Sequence, residues 1–120
     1  MRKKSIIERR KNIRLPLTFK AKLTLPDDLV LPGQTRNISF GGAFIELDNI
    51  PPLKKGDYAS LVLLSRVEFT CKLIHSNMRG IGFEFDFILI KYYEVFKEMM
   101  LHNAPDRDRL TKELGRWADM

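Results

Sequence analysis

Apolar and polar residues alternate along most of the chain between residues 17 and 85, which is the period of strands with one buried face. The clearest run places Phe19, Ala21 and Leu23 between polar neighbours. Strand-like runs cover residues 17–25, a short stretch before residue 37, and residues 43–47, 58–64, 67–74 and 81–85. Such closely spaced runs predict a mainly β fold, a small antiparallel β-barrel of six strands with a Greek-key-like order.

Turn and loop signals separate the predicted strands. Pro26-Asp27-Asp28 and Pro32-Gly33 are expected to form turns, and a tight turn is expected near Ser65-Arg66. Residues 48–56 contain two prolines, two lysines and a glycine, which favour a loop. The glycines of Gly80-Ile81-Gly82 are expected to permit a turn and a close approach of backbones.

The period changes in the last quarter of the chain. Apolar residues recur with helical spacing from Ile88 through Leu101, and a helix after a barrel is expected to cap its open end. Residues 102–105 break this helix, and Asp106 is placed to cap a second short one. The apolar stripe of the second helix is Leu110, Leu114 and Trp117. Packing on the domain and binding of a partner both remain open for it.

Charge is concentrated at the N-terminus. The chain has 120 residues and a net charge of +6, yet residues 1–14 hold seven of the 21 basic side chains and one of the 15 acidic ones. We therefore expect a flexible basic arm (residues 1–14), a barrel with a capping helix (15–101) and a short helical tail (102–120). Such an arm suits nucleic acid, an anionic membrane surface or a compact phosphate ligand. For Arg2 to Lys4, a solvated tail is an equally weighted alternative.

Several classes of protein are disfavoured by the composition. No apolar run is long enough to span a bilayer, and the N-terminus lacks the apolar stretch of a secretion signal. The single cysteine, Cys71, is expected to be a small core residue, with a reactive thiol as the less favoured interpretation. His75 and His102 have no partners at metal-ligand spacing, and no catalytic signature occurs. We expect a cytoplasmic protein without metal, cofactor or enzymatic activity.

Two short polar segments carry the candidate chemistry. Arg10 and Arg14 lie four residues apart ahead of the first strand, and guanidinium groups bind phosphate bidentately and stack on purine rings. Residues 37–42, Asn-Ile-Ser-Phe-Gly-Gly, form a compact polar turn whose glycines leave room for a ligand. Together they predict a site for a small anionic nucleotide of the guanine type. The alternative is that Asn37 and Ser39 bond their own backbone and that Gly42 adopts a positive φ.

The order and spacing of these segments resemble the PilZ domain family, whose pattern is RxxxR followed by [DN]xSxxG, over roughly residues 8–100. The resemblance implies binding of the bacterial second messenger cyclic di-GMP. The implied nucleotide-binding residues are Arg9, Arg10, Arg14, Asn37, Ser39 and Gly42. The arginine pair would hold phosphates and guanine edges, Asn37 and Ser39 would bond guanine and ribose-phosphate groups, and Gly42 would allow close approach. In the family, an arginine at the place of Arg9 is associated with an intercalated ligand dimer.

A basic arm that closes on a ligand against a rigid barrel predicts a switch in which binding orders the arm. The chain would then be a bacterial receptor and adaptor that signals through a separate protein effector or through self-association. The main alternative is a ligand-independent PilZ-like adaptor that binds a protein partner in pilus or flagellar machinery. Nucleic-acid binding by the arm is less favoured, because the barrel lacks a basic stripe with interleaved exposed aromatic residues. No specific nucleic-acid partner is expected.

Overall fold

In the part of the chain that the computed structural model describes, residues 14–118, six antiparallel strands close into a barrel and two helices follow. Within that range, every side chain is described except those of Ile90 and residues 113–118. The elements are β1 (Lys20–Thr24), β2 (Val30–Ile38), β3 (Gly42–Glu46), β4 (Tyr58–Leu63), β5 (Val67–Ser76), β6 (Gly80–Ile88), α1 (Ile90–Asn103) and α2 (Arg107–Ala118).

The strand order around the barrel is β1-β2-β3-β6-β5-β4. The first three strands are consecutive neighbours and β4 returns to lie beside β1, which is a Greek key. The long connection from β3 to β4 runs through the loop predicted for residues 48–56. The predicted fold class is therefore confirmed.

Alternation along the strands fills the barrel interior, as predicted. Phe19, Ala21, Leu23 and Leu25 are all buried, while Lys20 and Lys22 between them are exposed. Every strand contributes at least one buried apolar residue to a single core. Cys71 belongs to this core, where burial and, secondarily, the charge of Asp86 raise the pKa of its thiol, so it is a protonated apolar filler.

The turn predicted at Pro32-Gly33 does not exist, because both residues lie inside β2. Thr35 N–H donates to Phe19 O across the β1–β2 ladder, and Pro32 is three residues away, at a position that does not bond β1. Its ring nitrogen faces the β3 side of the strand. The pairing with β3 begins at Gln34, so Pro32 has no partner there and the missing N–H costs no hydrogen bond. Gly33 is required for a different reason: a Cβ there would lie 2.6 Å from Glu46 O.

The other predicted connections are found. Asp28 takes a φ of 71° in the turn between β1 and β2, and Leu64 and Ser65 both take positive φ in the β4–β5 hairpin. Two successive positive φ values match a type I′ turn, whose twist suits a hairpin. A Cβ on Gly80 would lie 2.0 Å from Ile45 O, which confirms the predicted close approach of backbones there.

Helix α1 starts later than predicted because β6 continues through Ile88, which still pairs with Phe69 on β5. The helix places Phe96 in the barrel core, where its ring lies edge-on to Phe69 at 4.9 Å and to Phe40 at 5.8 Å. Edge-to-face contacts of this kind add stabilisation beyond the buried area. The helix therefore packs on the barrel through a buried aromatic side chain.

Helix α2 begins as predicted, with Asp106 at its N-terminus. Asp106 Oδ1 accepts a hydrogen bond from Arg109 N–H at 3.2 Å. Leu110 is buried against the core, whereas the side chains of Leu114 and Trp117 lie outside the described residues. Neither described helix has the length and apolar character needed to cross a bilayer.

Candidate functional site

The two sequence motifs meet at one place on the barrel. Leu15 and Ile38 exchange a reciprocal pair of backbone hydrogen bonds, of 2.8 and 2.9 Å, which holds the chain entering the barrel against the end of β2. Beside this bridge, Arg14 Nη1 donates to Asn37 Oδ1 at 2.8 Å. Residues 23 positions apart in the sequence are thus in direct contact, and the hydrogen bond between them is exposed to solvent.

A β-bulge at Arg36 brings Asn37 to the outer surface. Thr35 pairs with Ile45 and Asn37 pairs with Phe44, so β2 has one residue more than β3 at this point. Regular alternation would turn Asn37 into the core, where Thr35 already points. With the bulge, Asn37 faces outward and Ile38 is buried. Bulges re-aim side chains in this way next to functional sites.

The segment before β1 is held by a buried hydroxyl that sequence reasoning did not single out. Thr35 Oγ1 accepts a hydrogen bond from Phe19 N–H at 2.8 Å and donates one to Leu17 O at 2.7 Å. Thr35 is completely buried, so both backbone groups would otherwise lack a partner in an apolar setting. The sequence feature that could have indicated this role is the polar side chain of Thr35 at a strand position that faces the core. Arg14 is therefore presented by a segment with defined geometry.

Ser39 builds the turn between β2 and β3. Its side chain is 3% exposed, and its Oγ accepts hydrogen bonds from Gly41 N–H at 3.1 Å and from Gly42 N–H at 3.2 Å. Ser39 N–H also donates to Gly42 O at 2.8 Å. This is the local bonding that the alternative interpretation of the motif described for Ser39. Asn37 differs, because its side-chain partner is Arg14.

Gly42 is needed for strand packing. The described glycine with a positive φ is Gly56, so Gly42 does not take the conformation that the alternative interpretation assigned to it. A Cβ on Gly42 would lie 2.2 Å from Phe83 O on β6. The same turn is fixed from within by Phe40, which is completely buried against Phe96 of α1.

The structure thus brings Arg14, Asn37, Ser39 and Gly42 together in two layers. Arg14 and Asn37 are on the surface, and the buried Ser39 and Gly42 shape the turn beneath them. Arg9 and Arg10 lie outside the described residues. Among the described residues, the side-chain partner of Arg14 is a neutral amide, and a guanidinium has more N–H donors than this one contact uses.

The family model of the PilZ domain matches residues 8–101. The chain belongs to the PilZ family. No curated protein matches the sequence significantly.

Solved structures share this PilZ fold. The Bacillus subtilis inhibitor of motility, MotI/DgrA, superposes with a TM-score of 0.59 at 17% identity, over 72% of this chain and 46% of that one. The PilZ domain of CeSA from a cellulose-synthesizing bacterium gives 0.54 at 20% identity, over 71% and 92%. YcgR from Escherichia coli, solved in complex with c-di-GMP, gives 0.57 at 17% identity, over 92% and 50%. The chain thus spans about half the length of MotI/DgrA and of YcgR.

A second polar cluster lies on the same PilZ barrel but has a different charge character. Arg36 Nη1 contacts Glu46 Oε2 at 2.7 Å, and Gln34 Nε2 donates to Glu46 Oε1 at 3.1 Å. The hydrogen bond from Gln34, followed by that from Arg36, lowers the pKa of the Glu46 carboxyl. Glu46, Asp48 and Arg79 line an open groove beside this cluster, and its mixed charges do not favour an anion.

Proposed function

We propose that this PilZ domain is a cyclic di-GMP receptor that binds its ligand on the outer surface at the end of β2. The observation that carries the proposal is the 2.8 Å hydrogen bond from Arg14 to Asn37, which joins the two family motifs at one surface. The c-di-GMP complex of YcgR, a protein of the same fold, gives independent support for this ligand class.

The exposed pair has the chemistry that a cyclic guanine dinucleotide requires. Arg14 offers a planar fork of N–H donors for a phosphate, and Asn37 offers both an acceptor and donors for a guanine edge. Their mutual hydrogen bond is solvent-exposed, so exchanging it for bonds to a ligand costs little. Arg10 and Arg9 would add further guanidinium groups from the N-terminal segment. Ser39 and Gly42 contribute by holding the turn in shape.

The adaptor role rests on the basic N-terminal segment. Seven basic side chains in residues 1–14 repel one another until an anion neutralises them, so ligand binding would close this segment over the barrel. The altered surface would then be offered to a protein effector. Hydrogen exchange should slow around residues 9–14 and 37–42 when cyclic di-GMP is added, with little change in β4 and β5. Protection of residues 9–14 before ligand is added would contradict this mechanism.

Isothermal titration with cyclic di-GMP tests the binding itself. Arg10→Ala and Arg14→Ala should each weaken binding by about ten- to a hundredfold, because each removes charge-assisted hydrogen bonds. Arg66→Ala is the matched control, since Arg66 is an exposed arginine in the β4–β5 turn and belongs to neither motif. It should bind as the wild type does.

Two ligands per chain, reduced towards one in Arg9→Leu, would support a role of Arg9 in holding a stacked pair.

Two results would contradict the proposal. If the wild type gives no heat with cyclic di-GMP, the ligand-independent adaptor becomes the better interpretation, and a protein partner should be sought. If GTP competes as well as cyclic di-GMP, or if Arg66→Ala weakens binding as much as Arg14→Ala does, the effect is general electrostatics.

A further inference from the structure

Four residues from four neighbouring strands form a row across the outer surface of the barrel. Asn37 on β2 pairs with Phe44 on β3, Phe44 pairs with Gly82 on β6, and Gly82 pairs with His75 on β5. Paired residues of antiparallel strands lie on the same face of the sheet. The row therefore starts at Asn37, the partner of Arg14, and extends over three interstrand spacings, or about 14 Å.

A second β-bulge creates the far end of this row. Leu73 pairs with Phe83, but His75 pairs with Gly82, so β5 has Ile74 as an extra residue. Without this residue, alternation would carry His75 to the inside, the side on which Leu73 is buried. The row is thus bounded by two bulges, at Arg36 and at Ile74, each of which turns a polar side chain outward.

The two aromatic members of the row lie next to each other above Gly82. The rings of Phe44 and His75 have centroids 5.9 Å apart and planes 26° apart. The imidazole lies over the glycine, because a Cβ on Gly82 would be 2.4 Å from His75 Cε1. Phe44 is half-buried and His75 is exposed, so the pair forms an aromatic surface open to solvent. Covering a strand glycine with a ring also stabilises the sheet.

We propose that the Phe44–His75 pair is a stacking surface for a purine base of the nucleotide bound at Arg14 and Asn37. The inference rests on the function proposed above and names two further contact residues for it. Aromatic side chains bind bases through their π faces without regard to hydrogen-bond pattern. A ligand with its phosphate at Arg14 and a guanine edge at Asn37 has Phe44 as its next neighbour along the row. The recognised chemistry is thus a planar base joined to a phosphate.

Two substitutions remove or displace the imidazole by different means. His75→Ala should weaken cyclic di-GMP binding by about five- to a hundredfold, the range for losing one aromatic stacking partner. Gly82→Ala should weaken it as well, because the new Cβ occupies the place of the ring and forces it aside. In the His75→Ala background, Gly82→Ala should have no further effect. Phe87→Ala is the matched control: it removes an exposed phenyl ring from the opposite end of β6 and should bind normally.

Nuclear magnetic resonance provides a readout of stacking itself. One guanine H8 signal should shift upfield on binding to the wild type and lose that shift in His75→Ala, with circular dichroism reporting that both proteins are folded. Wild-type affinity and an unchanged H8 shift in His75→Ala would overturn the inference while leaving the proposed function intact. An additional loss of affinity from Gly82→Ala in the His75→Ala background would also overturn it, since the effect would then arise from β6. Failure of the wild type to bind would overturn both proposals.

Discussion

The candidate site consists of two parts that the sequence motif does not distinguish. Arg14 and Asn37 bond each other through their side chains, and this hydrogen bond is exposed to solvent. Ser39 and Gly42 are buried, and their polar groups bond one another within the turn. The site therefore has a surface, Arg14 and Asn37, whose hydrogen bond can be exchanged for bonds to a ligand. It also has a frame, Ser39 and Gly42, whose hydrogen bonds cannot be exchanged without loss of structure. Substitutions in the buried frame should lower stability and affinity together, whereas substitutions on the surface should lower affinity with little loss of stability.

The largest effect is expected beneath the frame. Phe40→Ala removes a completely buried ring that packs edge-on against Phe96, and truncations of this kind cost about 3–5 kcal/mol in the free energy of unfolding. The turn should lose its internal support, and ligand binding should fall with it. Denaturant unfolding measures the cost. Phe87→Ala, the same truncation at an exposed ring, should cost far less, and equal losses would show that Phe40 does not anchor the turn.

Ser39→Ala should have the next largest effect on stability. It leaves the part-buried N–H of Gly41 and the buried N–H of Gly42 without their side-chain acceptor, which costs about 1–3 kcal/mol in the free energy of unfolding. We expect weaker ligand binding as a consequence of the altered turn. Denaturant unfolding and titration of the same protein measure both quantities. Reduced affinity at unchanged stability would instead mean that the hydroxyl bonds the ligand directly, as the family resemblance implies.

Asn37→Ala should weaken ligand binding with little effect on stability. The Asn37 side chain bonds an exposed guanidinium, so its loss should change the free energy of unfolding by less than about 1 kcal/mol. Ligand affinity should nevertheless fall by about tenfold or more, because an acceptor for the guanine edge is removed. Asn37→Asp is the informative companion, since it keeps the acceptor and the family pattern also allows aspartate there. A stability loss comparable to that of Ser39→Ala would remove the distinction between surface and frame.

The regular alternation of apolar and polar residues predicted the strands correctly, whereas the positions that depart from it were not predicted. The alternation of Phe19 to Leu25 was sufficient to predict β1 and its buried face. The bulges at Arg36 and Ile74 were not predicted, because an extra residue in one strand has meaning only relative to the register of its neighbour. Pro32-Gly33 has the composition of a turn, yet it lies within β2. Proline is tolerated there because β3 ends before it could pair with Pro32.

The motif residues show the same limit at the scale of single side chains. A serine followed by two glycines predicts a polar turn, but whether its hydroxyl faces a ligand or its own backbone depends on burial, which the folded barrel decides. The contact between Arg14 and Asn37 follows from the Leu15–Ile38 bridge, a pairing outside the named strands that no local pattern indicates. Spacing selected the candidate residues, and the fold separates the surface pair from the buried turn.

The smallest expected effect concerns Arg36, the bulge residue itself, which forms a salt bridge with the carboxylate of Glu46. Hydrogen bonds from Gln34 and then Arg36 lower the pKa of Glu46, so this group stabilises the fold above its unfolded pKa, and that contribution is lost as the pH falls through the folded pKa. Glu46 is exposed to solvent screening, so the change in stability should be slight, and side-chain titration by nuclear magnetic resonance is the suitable measurement.

Gln34→Ala should raise the pKa of Glu46. Saturating cyclic di-GMP should leave it unchanged, because Arg36 is already neutralised by Glu46 and has no charge to spare for a phosphate. A ligand-induced rise would mean that Arg36 leaves Glu46 for the nucleotide and that the binding surface extends across the bulge.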